Sequence, residues 1–284
     1  MTNSLQSFAI GYQGPISGTF RIMTPYLGES HSSRLFVRLR LEDASGYLQA
    51  FSWREEVMNS MALYDLSRAY IEGILRPHEN QVVVELQTLV AAQVHYGDIV
   101  RLIPQSLCPR PELLPELATV MRLISLPPLR RFLGKVLSDD GIAFPFVNCP
   151  GSLNHHHNFR GGLLKHSLEG VGVIESQTFF PREDYELGLV AALFHDIGKI
   201  LTYTSQMTMT SLGASIEHDK LTCEILAPAL HDLHKDWPAG ARKLRYLLGW
   251  KTKSAIPHYN MADLVACADR ISTGQDMDRR KTKR

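Results

Sequence analysis

The 284-residue sequence has no apolar run approaching the ~20 residues that a helical membrane span needs, which excludes that class of protein. Its opening, MTNSLQSFAIGYQG, holds no basic stretch followed by an apolar one, so export through a signal peptide is not expected. Cysteine is scarce. Cys108, Cys149, Cys223 and Cys267 include no CxxC pair, which argues against both a disulfide framework and a cysteine-ligated zinc site and makes the cytoplasm the expected compartment. Neither charge is in excess: 30 Lys and Arg face 29 Asp and Glu. Any surface for nucleic acid must therefore be local rather than global. No internal repeat is present, and the one biased stretch is the basic tail DRRKTKR, expected to fray. What the chain does hold in number is histidine, 12 in all, with many between His155 and His258.

Two domains of ordinary size fit this length. Residues 17–92 read as β structure: SRLFVRLRLED alternates across a strand, ASG turns the chain into YLQAFSW, and AYIEGILRP and QVVVELQTLV flank a turn at His78-Glu79-Asn80. So many short strands in so little sequence predict a small barrel, for which the OB-fold is the leading candidate and a sandwich the alternative. The proline-rich LIPQSLCPRPELLP ends this pattern. Apolar residues then recur at helical spacing in ELLPELATVMRLI and PPLRRFLGKVL, and over about 163–178, 184–196, 215–234, 240–250 and 261–272. The expected architecture is a multidomain α and β chain: a barrel over 1–98, a linker and helical lead-in over 99–150, an all-α domain over 151–275 and a tail over 276–284.

Polar residues interrupt the apolar helices at four places: His166 in GGLLKHSLEG, His195-Asp196 in VAALFHDIGK, His218 in GASIEHDK and Asp269 in LVACADRIS. A carboxylate within an apolar helix needs a partner, and a cation shared by Asp196 and Asp269 would serve both. Imidazole and carboxylate without thiolate suit a divalent first-row metal such as Mn, Fe, Co, Ni or Zn. A lone histidine on such a helix is more often a hydrogen-bonded core residue. The three elements together, GGLxxH, HDIGK and a helical Ala-Asp, point instead to a metal site, with His166, His195, Asp196 and Asp269 as ligands. Metal-assisted hydrolysis of a phosphoester is the chemistry such a site serves. Lys199, one turn beyond the pair, is placed to offset phosphate charge or to pair with Asp196, and the two are candidate catalytic residues.

Through these residues the chain resembles the HD superfamily, and NHHHNFRGGLLKHSLEG followed by AALFHDIGK resembles the YhaM-type 3′-5′ exoribonucleases, which join an OB-fold to an HD domain. LRLEDASGYLQAFSW, with Asp43, Gly46, Leu48, Ala50 and Trp53, is similar to their barrel pattern. The resemblance implies Mn²⁺, with Mg²⁺, Co²⁺, Ni²⁺ or Fe²⁺ as alternatives, and stepwise removal of nucleotides from a 3′ end. It implies His218 as a histidine for a second metal or for phosphate, and so as a third catalytic candidate beside Asp196 and Lys199. One departure stands out: Gly249-Trp250 falls where such enzymes carry a His-His pair, with His231, His234 or His258 as candidate substitutes. The same HD string is similar to MobH-type relaxase proteins of conjugative elements, which implies as an alternative a DNA-processing or DNA-binding protein with a degenerate HD site. A nucleotide phosphohydrolase is a further one.

The loop ahead of Gly161-Gly162 offers His156, His157 and Arg160 as candidates to grip phosphate oxygens, a solvated polar loop being the plain alternative. On the barrel, alternation predicts Leu35, Val37, Leu39 and Leu41 in the core and Phe36, Arg38 and Arg40 on the opposite face, with Tyr47, Gln49, Phe51 and Trp53 sharing a face of the next strand. Aromatics beside arginines suit single-stranded RNA or DNA, so Phe36, Arg38, Arg40 and Trp53 are the expected substrate contacts. Single-stranded nucleic acid is the expected partner, no membrane is expected, and oligomer formation is left open.

Overall fold

A computed structural model describes residues 5, 13–63, 67–250 and 256–282. The chain divides into two compact units, Met1–Ser106 and Leu107–Arg284.

The first unit is a closed five-stranded barrel of OB type. Strand β1 (Gly14–Glu29) pairs antiparallel with β2 (Leu35–Asp43) at one end and with β4 (Arg68–His78) at the other, which closes the barrel in the order β1-β2-β3-β5-β4. A register shift between Met23 and Tyr26 lets β1 bend between these two partners. Strands β3 (Gly46–Ser52) and β5 (Gln81–Ala91) run parallel, and the remaining pairs are antiparallel. The β2–β3 hairpin is tied by the Asp43 carboxylate, which accepts from Ser45 N at 2.7 Å. Between β3 and β4 the polar segment holds a helix, α1 (Glu55–Leu63), whose Val57 joins the barrel core with Phe20, Leu39, Leu41, Ile71 and Val84.

Alternation on β2 buries Val37, Leu39 and Leu41 as expected but leaves Leu35 exposed. Leu35 opens the strand opposite Glu29, at the end of the β1–β2 ladder where no further layer covers it. Residues 99–106 fold with the barrel rather than leading out of it: Leu102 O accepts from Arg21 and buried Glu42 accepts from Ser106 N.

The second unit is helical. Helices α2 (Leu114–Leu123), α3 (Pro127–Ser138) and α4 (Asp140–Asn148) precede α5 (Gly162–Glu175), α6 (Arg182–Phe194), the short α7 (Lys199–Thr202), α8 (His218–Ile225), α9 (Ala227–Asp236), α10 (Pro238–Gly249) and α11 (Asn260–Thr282). The single helix expected over 215–234 is two, because Pro228 lies in the first turn of α9 and starts a new helix there. Helix α4 carries Pro145 inside it and is started by Asp139, whose side chain accepts from Gly141 N. Helix α11 runs on through Thr282, into the segment expected to fray. Residues 283 and 284 of that segment lie outside the described ones. Helix α6 is buried from Glu186 to Phe194 and packs against α5, α10 and α11. That burial carries the His-Asp pair into the protein interior.

Candidate metal centre and nucleic-acid interface

Two glycines let the backbone come close enough to build the centre. A Cβ on Gly162 would lie 2.1 Å from His157 O, so only glycine allows the loop 151–161 to fold against the start of α5. A Cβ on Gly198 would lie 1.9 Å from His218 O, so the turn after α6 can meet the start of α8 only with glycine there. Helix α5 then presents His166, the turn after α6 presents His195 and Asp196, and α11 presents Asp269.

The four side chains converge. His166 Nε2 lies 3.1 Å from His195 Nε2, 3.3 Å from Asp196 Oδ2 and 3.2 Å from Asp269 Oδ1. His195 Nε2 lies 3.6 and 3.7 Å from the same two carboxylate oxygens. Both rings are turned by their other nitrogens: His195 Nδ1 donates to Ala192 O at 2.8 Å, and His166 Nδ1 meets Ser272 Oγ at 3.0 Å, whose hydroxyl donates to Glu169 at 2.8 Å. With each Nδ1 engaged by these partners, both Nε2 atoms are turned toward the carboxylates, the second-sphere arrangement that metal-binding histidines use. His166 and His195 are almost fully buried, as is Asp196.

The electrostatics agree. Burial would raise the carboxyl of Asp196, but the charges of Lys199 and His195 and hydrogen bonds from His166 and His218 hold it well below the ordinary range. Asp269 is likewise held low, because hydrogen bonds from His166 and His195 outweigh its burial. For His166, burial would favour the neutral ring, yet Asp196 and Asp269 shift it the other way. Two carboxylates held ionised beside two imidazole nitrogens make a site that favours a cation. Two nitrogens and two carboxylate oxygens, with no sulfur, fit a divalent cation.

Lys199 is buried and its Nζ lies 2.5 Å from Asp196 Oδ2, so of its two expected roles the geometry provides the pairing with Asp196. His218 reaches the other oxygen of that carboxylate, Oδ1, at 3.2 Å, and Asp219 joins it in a second ligand-spaced group. His231, His234 and His258 belong to no such group among the described residues. His157 is not available to substrate: it is buried, its ring bonds Glu169 at 2.9 Å and its backbone N–H donates to Asp276. It braces the carboxylate that orients His166 through Ser272. His156 is half-buried beside His166, at 5.3 Å between ring centroids, and its pKa is pushed down to about 4 by burial and then by the charges of Lys199 and His166. Arg160 is exposed and donates to Asn148 Oδ1.

On the barrel, Phe36, Arg38, Phe51 and Trp53 line one groove of about 720 Å³, with His78 and Gln81 from the β4–β5 turn. Phe36 and Trp53 rings lie 5.2 Å apart, and Arg34 lies over Trp53 at 5.1 Å. Arg38 lies over Tyr26 at 5.6 Å. Tyr26 and Arg34 escaped sequence reasoning, because only the long β1 and its hairpin with β2 bring them beside Phe36 and Trp53. Arg40 does not line this groove: it is half-buried, paired with buried Glu42 at 2.9 Å and set over Tyr47.

Residues 163–273, which contain all four converging side chains, match the HD domain family. The chain is similar to proteins described as 3′-5′ exoribonuclease YhaM. That of Shouchella clausii is 24% identical over 231 residues, covering 78% of this chain and 70% of the relative. That of Bacillus licheniformis is 21% identical over 216 residues, 74% and 67% of the two chains, and that of Bacillus velezensis is 20% identical over 243 residues, 83% and 75%.

Proposed function

We propose that this chain, a metal-dependent hydrolase of the HD superfamily, is a 3′-5′ exonuclease on single-stranded nucleic acid, with RNA preferred to DNA and Mn²⁺ as the working cation. The observation that carries the reading is the convergence of His166, His195, Asp196 and Asp269 on one point, in a chain whose other unit is a barrel with an aromatic and arginine-lined groove. The similarity to exoribonucleases over some three quarters of the chain supports it.

The division of labour follows from the residues. Tyr26, Phe36 and Trp53 offer faces on which bases stack in any sequence, and Arg34 and Arg38 offer charge to the backbone. His166, His195, Asp196 and Asp269 would hold the cation, which when bound supplies Lewis acidity toward water and a phosphoryl oxygen. Lys199 keeps Asp196 ionised and oriented. His218, hydrogen-bonded to Oδ1 of Asp196, stands where a proton can be exchanged with solvent or substrate. His156, neutral at physiological pH, contributes a hydrogen-bonding wall rather than a charge.

The test is a time course on 5′-labelled single-stranded RNA and DNA with Mn²⁺. A ladder that shortens from the 3′ end, faster on RNA, is the expected result. Hydrolysis of free nucleotides with no ladder would replace this reading with nucleotide phosphohydrolysis. Internal cuts would replace it with endonucleolysis.

A further inference from the structure

A second, smaller cavity of about 180 Å³ adjoins the metal centre, with His195 and Asp269 in its wall. The rest of its lining comes from the end of α10 and the second and third turns of α11: Leu247, Leu248, Trp250, Val265, Ala266 and Arg270. We propose that this cavity receives the base of the 3′-terminal nucleotide and that Trp250 is the residue that grips it. The identity of the occupant rests on the exonuclease reading; the existence of a base-binding slot does not.

Three features carry the inference. The lining is apolar on one side, where Leu247, Leu248 and Val265 are otherwise buried, and polar only where the two metal ligands and Arg270 stand. This is how a site is built for a flat, mostly apolar ring attached to an anionic group. Trp250 is already fixed, because its Nε1 donates to Asp263 at 3.2 Å and its ring stacks on Tyr246 at 5.4 Å with planes 23° apart. An aromatic wall held in place before binding spares the ordering cost of gripping a ring. Finally, the cavity is a fraction of the barrel groove's volume, room for one ring system rather than for a strand. A phosphate at the metal centre with one ring beside it places a chain end there. Helix α10, PAGARKLRYLLG, offers no His, Asp or Glu, so this wall shapes and stacks but supplies no ligand.

The experiment compares removal of the last residue from 5′-labelled RNA ending in an ordinary nucleotide with removal from the same RNA ending in an abasic ribonucleotide. The full-length wild type is expected to show a KM about tenfold higher for the abasic end, the lower part of the range for base–aromatic stacking. Trp250→Ala is expected to raise KM for the ordinary end about as much and to abolish the difference, while Trp250→Phe keeps most of it. Equal KM for both ends in wild type, or a difference that survives in Trp250→Ala, would overturn the proposal while leaving the exonuclease intact. Binding is read separately from turnover by adenosine 5′-monophosphate quenching of tryptophan fluorescence in Trp53→Phe, which removes the barrel's tryptophan. Quenching that disappears in Trp53→Phe/Trp250→Phe is expected, and it would support the slot even if no RNA were cut. No quenching, or quenching that persists in the double variant, would overturn it.

Discussion

Glu169 and His166 lie one helical turn apart on α5 and are joined through a third residue: Ser272 on α11 donates to Glu169 at 2.8 Å and meets His166 Nδ1 at 3.0 Å. The relay turns His166 so that its Nε2 faces the carboxylates of Asp196 and Asp269. His157 completes it by bonding the same oxygen of Glu169 at 2.9 Å.

Ser272→Ala removes the relay while leaving all four ligands in place. Outer-sphere partners of metal-ligating histidines typically carry 10–100-fold in affinity, so Mn²⁺ binding by calorimetry is expected to weaken by about tenfold or more. Far-ultraviolet circular dichroism should be unchanged. An unaltered affinity would remove Ser272 from the account of His166.

Asp196→Asn is expected to abolish Mn²⁺ binding and hydrolysis while single-strand affinity stays within about twofold of wild type, because ligand and groove belong to different units that share no residue. Filter binding with and without Mn²⁺ measures it. Loss of strand affinity in step with metal would argue against this division.

Gly198→Ala places a methyl group against His218 O, where the present geometry allows only 1.9 Å. The backbone has to separate, and His218 is then drawn from Asp196. Activity is expected to fall by about a hundredfold, in line with the cost of misplacing a group by ~1 Å, with a destabilisation of about 2 kcal/mol in urea. A variant as active and stable as wild type would show that this close approach is dispensable.

Glu186 is wholly buried and accepts from Ser125 N, Ser125 Oγ, Leu126 N and Arg182 Nε at 2.6–3.0 Å. Burial alone would raise its carboxyl, but these donors outweigh it and hold the group below its ordinary 4.5. A carboxyl with a lowered folded-state pKa stabilises the fold above the unfolded value, and that stabilisation is lost as pH falls through the folded value. Glu186→Gln is therefore expected to cost about 2 kcal/mol at neutral pH, with the gap from wild type narrowing below about pH 4. Urea unfolding across pH 3–7 measures it; a gap independent of pH would contradict the assignment.

Burial pushes the thiol of Cys108 up to about 11 and that of Cys149 up to about 12. Neither forms a reactive thiolate near neutrality. Ellman's reagent at about pH 8 is expected to reach at most the two half-buried thiols, Cys223 and Cys267, in the native protein and all four after unfolding.

Much of the centre was legible because its demands are local. A carboxylate in the apolar run LVACADRIS requires a counter-charge, and HDIGK ends a helix too apolar to lie at the surface, so Asp269 and Asp196 announced themselves. Periodicity also placed β2 and β3 and the face carrying Phe36, Arg38 and Trp53. What remained hidden depends on tertiary closeness. Nothing in NHHHNFRGG distinguishes His157, which braces Glu169, from His156, which stands beside His166; only the fold of the loop against Gly162 separates them. Arg40 looked equivalent to Arg38 by alternation, and only buried Glu42 on its own strand withdraws it. Helix α4 was masked by Pro145, since the capping carboxylate of Asp139 outweighs what a proline disrupts in so short a helix. Trp250 stood out as a missing ligand, and its place in a cavity wall emerged only once α10 and α11 were set together.

Whether the four side chains form one metal centre is decided by a crystal structure of the wild-type protein grown with Mn²⁺, with anomalous differences recorded at the manganese edge. The expected result is a peak within bonding distance of His166 Nε2, His195 Nε2, Asp196 and Asp269 together. A manganese peak bound elsewhere, or no peak among these four residues in Mn²⁺-saturated crystals, would contradict it.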